Sequence, residues 1–346
     1  MAAAPPGEGS DVTSPPERAA GILREGTLCW IAAGTPLGPH VTPLVFAMSD
    51  GALWLTTSRR SVKARAWARD PSVAGLVREG TRAVSFAGRA RTYDALEPRT
   101  WLSSMAAAPF LAAATVRYTG KNARFFAGYA VDAREVPLAW TPPGRVFARI
   151  DIERGAVIEG DEVVERWGRW PGGPFLTGAS FRASSKLGDP LDGVPGDVAA
   201  RLGRHGGEAA LAVEGEEGLA VLPAGWAATD HELFAAMPRA VAGLAGAAAS
   251  DRVALSIDSA SWWRAADMAG AMIQGASSAF AIDELVTGSG SAGRLAAAAG
   301  AARTGSVLVR VRPRRVVWWF GWSSGAIPGA GERGRARTRR KIVAES

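Results

Sequence analysis

The chain repeats itself at a long, constant offset, which restricts it to folds that can be built twice. The stretch V-T-P-L-V-F-A-M-S-D-G-A-L-W-L-T (Val41–Thr56) aligns with V-L-P-A-G-W-A-A-T-D-H-E-L-F-A-A (Val221–Ala236). Val41/Val221, Pro43/Pro223, Asp50/Asp230 and Leu53/Leu233 stand the same distance apart (223 − 43 = 180), and Phe46/Trp226 and Trp54/Phe234 keep an aromatic at that spacing. The register runs on without a gap into D-P-S-V-A-G-L-V (Asp70–Val77) against S-D-R-V-A-L-S-I (Ser250–Ile257). Solenoid repeats are far shorter, so this period indicates two fused domains of one fold. A chain of 346 residues has the length for two.

Within each copy the pattern is of short strands. Thr27–Ala33 is apolar and β-prone. Val41–Ala47 and Ala52–Thr57 flank M-S-D-G, a hairpin signal. Ser61–Arg69 has helical composition and stops at Asp70-Pro71. Val73–Arg78 and Arg82–Tyr93 read as strands, the second with a bulge at Gly88. Glu97–Val116, with Pro98 in its first turn, and Ala123–Val131 read as helices. Arg145–Ile152 returns to a strand whose counterpart is Ser306–Pro313, at a shorter offset (310 − 149 = 161) because the second copy has a shorter insert. About six strands with a late helical insert predict a small, partly closed antiparallel barrel. The expected fold class is mainly β with inserted helices (α+β), two fused split barrels forming a pseudo-dimer. The expected division is a disordered tail over 1–17, a first barrel over 18–170, a linker over 171–203, a second, degenerate barrel over 204–328, and a basic disordered tail over 329–346.

Composition narrows the class. Hydrophobic content of 47% and 13 Trp indicate packed cores. The single Cys29 rules out an internal disulfide and reads as a small buried hydrophobe. The first residues carry no signal-peptide pattern, and no apolar run reaches about 18 residues, so a cytoplasmic, non-membrane protein is expected. The Ala-rich runs Ala106–Ala114 and Ala296–Ala302 read as packed helix. Much of the net +7 charge sits in Gly331–Lys341, where no aromatics interleave, so no nucleic-acid partner is expected. His40, His205 and His231 lack metal-ligand spacing, so no metal site is expected. His40 reads as a solvated loop residue, and Asp161/Glu162 as solvated turn residues.

Chemistry concentrates in T-T-S-R-R-S-V-K-A-R-A-W (Thr56–Trp67), where a strand gives way to a helix. Thr57, Ser58 and Ser61 supply hydroxyls, and Arg59, Arg60 and Lys63 supply positive charge. With the free N–H groups of the new helix, this set suits a phosphate monoester. A helix cap with solvated charges has the same composition. The repeat separates the two: at offset 180 the second copy has Met237, Val241 and Gly243 in place of Thr57, Ser61 and Lys63. The framework survives without the polar groups, so they read as an added site.

From Gly21 to about Trp167 the chain resembles the pyridoxamine 5′-phosphate oxidase-like, FMN-binding split-barrel family. The resemblance rests on H-V-T-P-L-V-F, G-A-L-W-L-T-T-S, the S-x-K helix start (Ser61, Lys63), D-P-S-V, V-S-F-A-G-R-A and R-V-F-A-R-I-D-I. In the second copy R-V-R-P-R-R-V-V-W-W-F-G-W (Arg310–Trp322) is similar to the family's final strand. The resemblance implies FMN in a cleft between two barrels. Thr57, Ser61 and Lys63 would hold the phosphate, helped by Ser58, Arg59 or Arg60, and Val41, Thr42, Pro43 and Leu44 would pass beside the ring. The second copy would complete the site within one chain, with Trp318 or Trp319 as a wall. Trp319–Ile327 stands where the family's vitamin-B6 oxidases carry an R-L-H-D-R-type segment, so pyridoxine phosphate is not the expected substrate.

The expected function is therefore an FMN-dependent oxidoreductase acting on a small molecule. Its rivals are an F420-dependent reductase of the same fold, with Arg59, Arg60, Lys63 and Arg65 on a basic groove, and a flavin- or haem-binding protein without turnover. Trp262 and Trp263 read as a loop that could cap the cleft.

Overall fold

Strand-forming runs bounded by turn residues dictate two sheets with one plan. The structure, a computed structural model, describes residues 14–94, 96–97, 105–132, 134, 136, 144–170, 189–203, 205–215, 218–245, 250, 252–259, 264–281 and 305–328. The first sheet contains β1 (Leu28–Ala33), β2 (His40–Ser49), β3 (Ala52–Ser58), β4 (Ser72–Glu79), β5 (Arg82–Tyr93), β6 (Arg145–Glu159) and β7 (Glu162–Trp167). Their order is β3-β2-β1-β4-β5-β6-β7, and β3 also pairs with β6, so six strands close into a barrel and β7 extends its edge. The second sheet contains β8 (His205–Gly215), β9 (Gly218–Ala228), β10 (Leu233–Pro238), β11 (Val253–Ser259), β12 (Ala269–Ala281), β13 (Ser306–Phe320) and β14 (Ser323–Pro328), in the same order and with the same closure, β10 to β13.

The two copies agree residue by residue. Trp30 lies opposite Pro43 and Ala210 opposite Pro223. Trp54 faces Arg149 and Phe234 faces Arg310, which keeps the offset of 161 for the closing strands. The expected hairpin turn is present, with Asp50 at φ 50° and Gly51 at φ 72°. Two consecutive left-handed residues give the turn whose twist suits a two-residue hairpin. Gly88 lies at the register shift between β5 and β6, as its position in the sequence suggested.

The interior of the first barrel is filled by Ile31, Phe46, Leu55, Phe86 and Ile150. A second core joins the barrels, packing Trp30, Val41 and Leu76 with Leu211, Leu222 and Leu255. β1 is buried along its whole length because one face meets the barrel interior and the other meets the partner barrel.

Polar contacts across this joint come in reciprocal pairs. Arg78 of β4 donates to Glu208 at 3.0 Å and to the Ala209 carbonyl of β8. The counterpart of Arg78 is Asp258 (258 − 78 = 180), which accepts from Trp30 Nε1 of β1 at 2.7 Å. Likewise Ser85 Oγ donates to the Val221 carbonyl at 2.7 Å, while Val41 N donates to Met272 Sδ at 3.2 Å. Contacts that exchange partners in this way are the mark of a twofold arrangement, here within one chain.

Four expectations need correction. The first barrel, expected to be strands from its start, opens with a helix. Glu17–Glu25 is a helix, α1, whose Ala19, Ile22 and Leu23 are fully buried, so packing holds it despite Gly21. Beyond the six strands that close each barrel, each sheet carries a seventh that was not expected; in the first the 160–161 turn returns the chain along β6 as β7. The helix expected over Glu97–Val116 is α3 (Ala108–Lys121), followed by α4 (Ala123–Val131); Pro98 lies outside the described residues. Part of the expected linker is a helix, α5 (Gly196–Leu202), seated by Val198. Trp262, Trp263, Ala296–Ala302 and both expected tails up to 13 and from 329 also lie outside the described residues. Among the described residues no helix is long and apolar enough to cross a membrane.

Candidate functional site

Where the reciprocal arrangement breaks, a cavity of about 920 Å³ opens between the barrels. One wall is β2 and the start of α2 (Val62–Trp67), represented by His40, Thr42, Pro43, Leu44, Ser61 and Val62. A second is β3 and β6, through Thr56, Arg145 and Phe147. The helical insert covers it with Tyr118, Phe125, Phe126 and Tyr129. The second barrel closes it with Met268 and the tip of the β13–β14 hairpin, Val317 to Ser324.

Ser61 caps α2, its Oγ accepting from Ala64 N at 3.0 Å. The same oxygen accepts from Thr57 Oγ1 at 3.0 Å. Thr57 itself is buried, because it alternates with Thr56 along β3 and points away from the cavity. Lys63 is also buried, and its Nζ donates to Thr42 Oγ1. Burial drives its pKa down to about 7. Of the expected set, Thr42, Pro43, Leu44, Ser61, Trp318 and Trp319 line the cavity, with Thr57 and Lys63 bonded to lining hydroxyls from behind.

The rest of the expected set lies elsewhere. Val41 faces the joint between barrels and contacts Met272. Ser58 uses its carbonyl to accept from Ser61 N at 2.9 Å. Arg59 is held by Asp94 at 2.7 Å, and Arg60 is exposed. His40 is not a solvated loop residue. It opens β2, is half-buried at the cavity, and its pKa is held well below the ordinary value by burial and then by Lys63 and Arg315. Trp318 and Trp319 are not alternatives at the wall. Both border the cavity, because the hairpin tip that carries them enters it; Trp318 packs on Gly325 and Trp319 on Gly270.

The cation that lines the cavity is Arg145, which sequence reasoning used only to mark a strand. Its Nε donates to Thr56 Oγ1 at 2.9 Å and its Nη2 to the Thr56 carbonyl at 2.7 Å. Tyr118 Oη lies 3.0 Å from the same Thr56 Oγ1. Burial raises the Tyr118 pKa and pushes that of Tyr129 up to about 12, so both stay protonated donors at neutral pH. Around them Tyr118 meets Phe126 and Phe147 edge-on, and Tyr129 meets Trp322 at 5.2 Å between centroids. The signal for Arg145 lay in the closing pair: β6 returns beside β3 with Arg145 opposite Ser58. At the equivalent place in the second barrel, Met237 and Val241 are buried in apolar packing.

No protein-family model matches the sequence, and no curated protein does. Among solved structures, the chain is similar to a conserved hypothetical protein from Mycobacterium tuberculosis, 24% identical over 44% of this chain and 90% of that one, with a TM-score of 0.31. It is similar also to a pyridoxamine 5′-phosphate oxidase-related, FMN-binding protein from Nostoc punctiforme PCC 73102. That match is 18% identical over 38% of this chain and 75% of the other, with a TM-score of 0.28. An F420 reductase is 18% identical over 41% of this chain and 98% of its own, with a TM-score of 0.28.

Proposed function

We propose that the chain is a flavin-binding oxidoreductase that holds one FMN in the cavity between its barrels. The observation that carries this reading is the cavity itself: about 920 Å³, apolar and aromatic on most sides, with hydroxyls and one cation gathered on the first barrel. Sites for ligands of this size are concave, mostly apolar and marked by a few placed polar groups. The donor set suits a phosphate monoester. Ser61 and Thr42 offer hydroxyls, Arg145 a guanidinium, and the Lys63 amine lies one hydrogen bond behind Thr42. Trp318 and Trp319 suit a planar ring, since aromatic faces stack.

The bound flavin would supply the redox chemistry. The residues of this chain bind and orient. Thr57 and Lys63 fix the hydroxyls of Ser61 and Thr42, and Tyr118 and Arg145 fix Thr56. His40, held neutral, can accept or donate a proton at the β2 wall. The helical insert and the β13–β14 tip exclude water. No carboxylate is among the described residues that line the cavity.

The test is the absorbance spectrum of the purified full chain, before and after FMN is added. Flavin bands that persist through desalting support the reading. F420 absorbance, a haem Soret band, or no retained chromophore contradicts it. Arg145→Gln should weaken FMN by about 1.5–3 kcal/mol, the scale of a charged hydrogen bond, or roughly ten- to hundredfold.

A further inference from the structure

We propose that the aromatic side of the large cavity is a subsite for a planar aromatic substrate bearing a hydrogen-bond-accepting oxygen, such as an aryl ketone, and that Tyr129 is the residue that selects it. The proposal rests on the reading of this cavity as a flavin site and names what binds beside the cofactor. At about 920 Å³ the cavity is near the top of the roughly 300–1,000 Å³ that ligand sites span, so it has room for a second ring system.

The sequence A-R-F-F-A-G-Y-A-V places Phe125 and Phe126 four and three residues before Tyr129, which brings all three to one face of α4. That face lines the cavity. Phe125 meets the Tyr129 ring edge-on at 5.3 Å, Phe126 lies at 5.9 Å, and Trp322 of the second barrel at 5.2 Å. Three rings thus hold the phenol in place. The end of the helix is held as well. Just past α4, Asp132 is buried and accepts from Arg264 Nη2 of the second barrel at 2.5 Å.

What Tyr129 lacks is a partner for its hydroxyl. Tyr118, on α3, has Thr56 Oγ1 at 3.0 Å. Tyr129 Oη makes no hydrogen bond among the described residues, and it is open to the cavity that the residue lines. Arg145 and Tyr118, which line the same cavity, are close enough to act electrostatically on its ionisation. A tyrosine hydroxyl in apolar surroundings ordinarily finds a partner. Because Tyr129 stays protonated, the partner it suits is an accepting oxygen. The rings around it suit a flat ligand. With no carboxylate among the described lining residues, an ammonium would have no counter-charge there.

The test is equilibrium dialysis of the full chain, FMN-loaded and flavin-free, against 2-acetylnaphthalene and against 2-ethylnaphthalene, which has the same rings and no oxygen. Both should bind, with and without FMN. Tyr129→Phe should weaken the ketone about three- to tenfold, the scale of one hydrogen bond, and leave the hydrocarbon and FMN unchanged. Trp322→Ala should weaken both naphthalenes severalfold. Circular dichroism confirms that each variant is folded. No ketone binding at about 0.1 mM overturns the subsite. Unchanged ketone affinity in Tyr129→Phe, or an equal loss of ketone and hydrocarbon in that variant, overturns the role given to Tyr129. Ketone binding that vanishes when FMN is loaded also overturns the proposal, since the two would share one place. A chain that retains no FMN but binds the ketone through Tyr129 would refute the flavin reading and leave the aromatic subsite standing.

Discussion

Lys63 shows most plainly what the cavity costs the fold. Its amine is buried in an apolar barrel, and burial lowers its pKa to about 7. The unfolded chain keeps that proton up to about pH 10, so between those values the unfolded state binds more protons and this residue's contribution to stability rises with pH. Below about pH 7 the folded chain carries the full desolvation penalty. Lys63→Met should therefore raise the stability of the flavin-free chain by on the order of 1 kcal/mol or more at pH 6, with the gain shrinking towards pH 10. Urea unfolding at several pH values measures it; a destabilised variant at pH 6 would contradict the burial argument. The same substitution should weaken FMN binding, but less than Arg145→Gln does. Lys63 and Ser61 were legible in the sequence because the second copy lacks them. Arg145 was not, because its place beside Ser58 depends on a strand pairing across the whole insert.

At the scale of elements, the two bulges fix how each barrel closes. Gly88 and Gly275 occupy the same step of the fold (275 − 88 = 187), and a Cβ at Gly88 would lie 2.0 Å from the Asp151 carbonyl oxygen. These are backbone contacts, which cannot rotate aside. Gly88→Ala and Gly275→Ala should each destabilise the chain by about 1–3 kcal/mol in chemical unfolding. Neutral substitutions would show that the bulges relax freely. The β2–β3 hairpin was readable from Asp50-Gly51 because only a few residues adopt left-handed backbone. α1 was not, since Gly21 breaks its local propensity and only the burial of Ile22 and Leu23 sustains it. β7 carries the signal E-V-V-E-R-W, but six residues on an exposed edge announce themselves weakly.

Over the whole molecule, a repeat that could have been two independent domains is one joined core with a large cavity between its barrels. The joint holds its own titratable group. Burial pushes the Asp258 carboxyl up to about 6, despite the Trp30 hydrogen bond and the nearby Arg78. The folded chain thus keeps a proton that the unfolded chain releases near pH 4, so this residue's contribution to stability falls as pH rises from about 4 to 6. Asp258→Asn, which still accepts from Trp30, should stabilise the chain by on the order of 1–3 kcal/mol at pH 7.5 and hardly at all at pH 4. A thermal melt at both pH values checks this, and equal effects at the two would refute it. The central claim is that both barrels build one flavin site. Its most direct measurement is an equilibrium titration of FMN into the full chain and into Trp319→Ala, with stoichiometry determined. The account predicts one FMN per chain and roughly three- to tenfold weaker binding in Trp319→Ala, the worth of a stacked ring. Two FMN per chain, or unchanged binding in Trp319→Ala, would contradict it.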